Sequence, residues 1–205
     1  METTELRSSL SLAAIFALRM LGLFLILPIF SMHAKGLPGG DQAIWVGLAL
    51  GIYGVVQACL HIPLGFLSDK YGRRPVVILG LCLFILGALV AASHDDLLWI
   101  TVGRAIQGAG AISAAVTAWI ADLTREETRT RAMAMVGGSI ALTFAISLVA
   151  AAPLYQAVGL SGMFFLMAIL GIGALLIAAW VVPNAPKGPQ TPFSEKFSSV
   201  LLNPD

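Results

Sequence analysis

Long uncharged runs alternate along this chain with short clusters of charge. Six runs reach the roughly twenty apolar residues that a membrane-spanning helix needs. They are Leu10–Met32, Ala43–Ser68, Pro75–Ser93, Leu97–Ala121, Ala132–Ala157 and Ser161–Val182. The last two come from one uncharged stretch, Ala132 to Pro186, too long for a single crossing. The segment YQAVGLSG divides it, because Gly159 and Gly162 supply a turn and Pro153 weakens the end of the fifth helix. The pattern therefore predicts an all-α membrane protein of six spans. Residues 1–9 form an N-terminal arm, residues 10–182 the bundle and residues 183–205 a tail. In the tail, PNAPKGPQTP reads as a semi-rigid linker. Thr191 and Pro192 then start a short amphipathic helix with Phe193, Phe197, Val200 and Leu201 on one face.

Composition supports a lipid solvent. Apolar residues make up 58% of the 205 residues and charged residues 11%, and the mean hydropathy is +0.90. Soluble domains carry about one quarter charged residues. A net charge of +1 gives no reason to expect nucleic-acid binding. Cys59 and Cys82 lie inside apolar runs and read as small hydrophobes. No zinc-ligand pair, phosphate-cradling loop or nucleophile with a base is legible, which points away from an enzyme, a metal site or a cofactor.

Charge also predicts orientation. Arg7, Lys70, Arg73, Arg74, Arg125, Arg129, Arg131, Lys187 and Lys196 fall on one side of the six spans, and Lys35 alone on the other. Basic loops stay in the cytoplasm, so both termini of this multi-pass membrane protein are expected there. Trp45 and Trp99 near outer helix ends, and Trp119 and Trp180 near inner ends, fit an interfacial aromatic belt.

One short stretch concentrates the charge. GFLSDKYGRRP, Gly65 to Pro75, holds Asp69, Lys70, Arg73 and Arg74 around Gly72. A tight turn explains the glycines, which permit close approach and unusual dihedrals, and Pro75, which suits the first turn of the third helix. Inside retention explains the bases, but neither explains Asp69 or the spacing. The spacing G-x-L-x-D-x-x-G-R-R resembles the signature loop of the major facilitator superfamily, with Gly65, Leu67, Asp69, Gly72, Arg73 and Arg74 in place. GRAIQGAGAI, Gly103 to Ile112, resembles that superfamily's fourth-helix motif through Arg104, Gln107, Gly108 and Gly110. ADLTREETRTRAMA, Ala121 to Ala134, resembles the end of that helix and the basic loop after it. In detail the chain is most similar to the YajR-type bacterial transporters, a proton-driven group.

The resemblance implies alternating-access transport of a small solute across the cell inner membrane, proton-coupled as in the similar group. It implies that Asp69 meets the end of a helix in a second half, and that Arg73 pairs with Asp122 to latch the cytoplasmic side shut. Superfamily members have two six-helix halves, each of two inverted three-helix repeats. This chain is similar to the N-terminal half, so the expectation is a truncated chain that needs the C-terminal half or a second copy. A parallel homodimer and a non-transporting fragment or scaffold are the alternatives. Arg19 followed by Gly22, and Arg104 followed by Gly108, hint at the internal repeat. LVAAAPLYQA keeps Pro153 but lacks the glycines of the drug antiporters' fifth-helix motif, so the direction of coupling is not implied.

Ionisable groups inside a membrane mark function by default. The spans contain Arg19, His61 and Arg104, with acids only at the cytoplasmic edge. Arg19 lies too deep to snorkel and is expected to face a cavity, whereas Arg104 can partly snorkel; both arginines, with Gln107, are candidates for substrate or coupling contacts. Tyr53, Gln57 and His61 recur at four-residue spacing, so they share one helix face and are expected to line that cavity. An unperturbed imidazole titrates near neutrality, which makes His61 a candidate proton carrier beside its simpler role as a packing residue. Two buried arginines without a buried acid favour an anionic substrate or acids supplied by the missing half. Gly47, Gly51 and Gly54 are expected to allow close helix packing.

Overall fold

A computed structural model describes residues 2–184. The proline-rich linker and the amphipathic helix expected beyond them lie outside the described residues. The described chain is helical almost throughout: α1 (Thr3–Ala34), α2 (Ala43–Tyr71), α3 (Arg73–Ala92), α4 (Leu97–Ala109), α5 (Ser113–Leu123) and α6 (Glu126–Leu176), with a closing π-helical turn, Ile177–Val181.

Five helical stretches are long and apolar enough to cross a membrane, and α4 with α5 makes one of them. The last, Glu126–Val181, has 56 residues. A straight helix of that length would run about 84 Å, more than twice the roughly 30 Å hydrocarbon layer. It is not straight. Gly159 has φ +67° and ψ −176° in the middle of α6, a conformation that side-chain-bearing residues rarely adopt.

The contacts show that the chain reverses there. On the first arm, Ser139 donates to the Ala13 carbonyl at 3.3 Å and Ser147 to that of Leu21 at 3.4 Å. Tyr155 then meets His33 at 2.7 Å. Numbers rise together, so this arm runs parallel to α1. On the second arm, Met167 packs on Gly22 and Gly173 faces Leu18, so the order is reversed. The expected division of the 132–186 stretch is thus realised at Gly159, and the described residues make six crossings.

Helix bounds differ where composition is silent. The first helix begins at Thr3, well before the apolar run, because Glu2 and Glu5 form a capping box. The expected continuous fourth helix is broken at residues 110–112. Gly110 leaves helical geometry there (φ −79°, ψ 42°).

Glycines set the closest packing, but not those expected. A Cβ at Gly103 would lie 2.6 Å from the Gly87 carbonyl oxygen, and one at Gly108 would strike the carbonyl of Tyr53. The α3–α4 and α2–α4 contacts are therefore backbone against backbone. Gly47, Gly51 and Gly54 instead meet nothing within 4 Å, so they bring no helices together among the described residues. Cys59 and Cys82 are exposed and unpaired. Trp45, Trp99 and Trp180 are exposed as a belt requires. Trp119 is fully buried and donates to the Pro183 carbonyl at 3.1 Å, so it is a packing residue instead.

Charge ties the first helix to the α5–α6 turn. The Arg125 side chain donates to Glu5 at 3.0 Å and its backbone N–H at 3.2 Å. Donation from the Arg125 side chain, then from the backbone N–H groups of Glu2 and Arg125, lowers the Glu5 carboxyl from its ordinary 4.5 to about 2. A lowered acid contributes stability above its unfolded-state value and loses it as pH falls through the folded one. Thermal unfolding in detergent should show the gap between wild type and Glu5→Gln fully open at pH 6 and closing as pH falls from about 4.5 towards about 2. A gap that stays constant over that range would contradict the pairing. The glycine contacts predict a second contrast. Gly103→Val should destabilise by about 1–3 kcal/mol through overpacking, whereas Gly51→Ala should be neutral or stabilise by about 0.5–1 kcal/mol.

Candidate functional site: a charged turn and a buried arginine pair

The turn between α2 and α3 is shorter than the sequence suggests. Asp69 and Lys70 stand in the last turn of α2, and Gly72 alone separates the two helices. Its φ of +99° and ψ of 153° explain why glycine is needed there. Gly65 has no such role: it is helical, and a Cβ on it would make an ordinary 3.6 Å contact with Ala114. Pro75 falls in the first turn of α3, as expected.

Arg73 gathers three partners. Its Nε donates to Asp122 at 2.9 Å, and its Nη1 donates to Ser68 Oγ at 2.7 Å and pairs with Asp69. Ser68 Oγ in turn donates to the Gly65 carbonyl at 2.7 Å. One guanidinium therefore joins the cytoplasm-facing ends expected for α2, α3 and α5. Arg73 is mostly shielded at 17% side-chain exposure, while Asp69 is 61% exposed, which leaves its second oxygen open to a further partner. Arg74 points elsewhere and donates to Asn184 at 3.2 Å. Ser68 was not singled out by the motif. Its bond back to Gly65 is local and readable from spacing, but its role as an acceptor for Arg73 is not.

Four of the deep candidates, Arg19, Tyr53, Arg104 and Gln107, converge. Arg19 Nη2 donates to Tyr53 Oη and to the Gly110 carbonyl, each at 3.0 Å. Arg104 stacks over the Tyr53 ring at 5.0 Å and makes long contacts, 3.5 Å each, with Gln107 Oε1 and the Leu50 carbonyl. Arg104 is buried and does not snorkel. Gln107 is fully buried and donates to the Met167 sulfur. The Gly110 contact explains the break after α4: an unsatisfied helix-end carbonyl is taken by a guanidinium from α1. Gln57 and His61 sit below Tyr53 on the same face of α2, half-buried. Neither has a hydrogen-bond partner among the described residues, and neither reaches the arginine pair.

Comparison with known proteins identifies the family. Residues 12–204 match the family model described as Major Facilitator Superfamily. The chain is 44% identical over 181 residues to the inner membrane transport protein YajR of Escherichia coli (strain K12), covering 88% of this chain and 40% of that one. It is 40% identical over 185 residues to an uncharacterized transporter of Buchnera aphidicola subsp. Schizaphis graminum (strain Sg), covering 90% and 47%. Its fold matches the crystal structure of the human organic anion transporter MFSD10 with a TM-score of 0.78 at 21% identity, over 99% of this chain and 54% of that one. The chain thus spans about half the length of the relatives it matches. With its six crossings, its signature turn and its match to the family along nearly all of its length, the chain belongs to the Major Facilitator Superfamily.

Proposed function

We propose that this chain forms one six-span half of an inner-membrane transporter that moves a small solute by alternating access, driven by protons. The observation that carries the reading is the Arg73 node. It fixes three helix ends to one another while leaving Asp69 largely exposed at the same end. An exposed carboxylate held on a rigid node is suited to grip the positive end of a facing helix. Such a contact, made in one state and broken in the other, biases a two-state equilibrium. Relatives along most of this chain are named as transporters.

A second six-span unit completes the machine in this reading. Two faces support the need for one. Only 11% of the apolar window of α2 is buried, and its Gly47, Gly51 and Gly54 stand open, as do Gly137 and Gly138 on the first arm of α6. Small residues let backbones approach closely in lipid. The bonded basic cluster near Glu5, Arg73 and Arg125 lies at one end of the bundle, which supports a cytoplasmic position for that end and for both termini. His61 is the coupling residue in this reading: half-buried, without a bonded partner among the described residues, and on the face that carries Tyr53 and Gln57.

The latch is testable without knowing the solute. With Cys59 and Cys82 replaced by serine, Gln57→Cys in the two-unit transporter reports cytoplasmic access through its rate of labelling by a water-soluble maleimide. Arg73→Ala or Asp69→Asn should raise that rate about tenfold, a bias of about 1.4 kcal/mol. Labelling that stays the same in both variants would overturn the latch.

A further inference from the structure

We infer that Arg19, Tyr53 and Arg104 form a binding site for the carboxylate of a small solute, set at the break between α4 and α5. The inference rests on the transport reading, since it names the class of solute carried.

The two guanidiniums are buried, Arg19 at 0% and Arg104 at 2% exposure. Each guanidinium brings five N–H donors. Their partners are all neutral oxygens: the Tyr53 hydroxyl, the Gln107 amide and the carbonyls of Gly110 and Leu50. Both Arg104 contacts are at the 3.5 Å limit of a hydrogen bond. Arg19 Nε, Arg19 Nη1 and Arg104 Nε have no acceptor at all. Two aromatic rings, Phe84 at 5.3 Å from Arg19 and Tyr53 at 5.0 Å from Arg104, cover the cation faces but take no N–H. The ion pairs formed among the described residues involve Arg73 and Arg125, at the latch end, and none reaches this depth. Two positive charges are therefore held close together, away from water, with donors to spare and no counter-charge, which is costly unless an anion joins them.

A carboxylate fits the donors because its two oxygens match the guanidinium fork. A lipid headgroup does not reach: Tyr53 lies ten residues inside α2, which begins at Ala43, about 15 Å along the axis. The half-buried face of Tyr53 is the approach, with Gln57 and His61 continuing the polar stripe. Tyr53 accepts from Arg19, so its own O–H is available to donate to the incoming carboxylate. Arg19 also holds the Gly110 carbonyl. A carboxylate that draws Arg19 towards itself competes with that bond, so occupancy is linked to the geometry of the helix break.

Calorimetric titration of the purified chain in neutral detergent, at constant ionic strength, tests this with sodium succinate. Saturable binding is expected, with no binding of the uncharged diamide of succinate. Arg104→Gln should abolish it. Tyr53→Phe, which keeps the ring and so guards against a failure to fold, should weaken it about tenfold. The site is overturned by the absence of saturable heat with succinate, benzoate and phosphate, by equal binding of the diamide, or by unchanged affinity in Tyr53→Phe. Binding that disappears when a facing six-span unit is present would give the site to an acidic side chain of that unit and overturn the solute assignment. Calorimetry reads binding without transport. Succinate binding by a chain whose latch variants leave access unchanged would sink the latch and spare this site, and the converse result would do the reverse.

Discussion

The hydrocarbon layer offers no water to a charge or to an unpaired backbone group, and every feature of this chain answers to that constraint. The signature turn and the loop after α5 carry their charges to one end, where Arg73 and Arg125 find carboxylates. The two arginines that remain inside are held by carbonyls, a hydroxyl, an amide and aromatic faces. At the first kind of site each arginine meets a carboxylate of the chain; at the second none does, and that difference is what the proposed solute site rests on.

Packing follows the same logic. Lipid gives apolar side chains no reason to prefer one another, so close backbone approach and polar contacts hold the helices. Gly87 and Gly103 bring α3 and α4 together, and Gly108 seats α4 on the Tyr53 carbonyl. That seat places Tyr53 between the guanidiniums of Arg19 and Arg104. The fourth-helix motif thus builds the arginine pair through its glycines as much as through Arg104 itself. At the far end, His33 with Tyr155 and Ser161 with Asp95 join helix ends, so both ends of the bundle are clasped by polar contacts.

Much of this was legible from residues. Helix number and the reversal at Gly159 follow from the length of apolar runs and one glycine. The ends were less so, because polar residues such as Thr3 and Asp69 extend a helix beyond the lipid at no cost that composition records. The break at residues 110–112 was hidden, since Gly110, Ala111 and Ile112 are as apolar as a span requires, and the carbonyl is satisfied by Arg19 from 91 residues away. Glu5 with Arg125 is separated by 120 residues and leaves no local pattern. For Gly47, Gly51 and Gly54 the spacing shows that close packing is permitted, not where the partner lies.

The most direct test is one of sidedness. Single cysteines at Lys35, Lys70 and Val158, the last exposed beside the Gly159 turn, in a chain with Cys59 and Cys82 replaced by serine, can be probed in whole and opened cells with a membrane-impermeant maleimide. Lys35→Cys and Val158→Cys should react in whole cells and Lys70→Cys only after opening. Reaction of positions 70 and 158 from the same side would contradict six crossings with the charged node at one end.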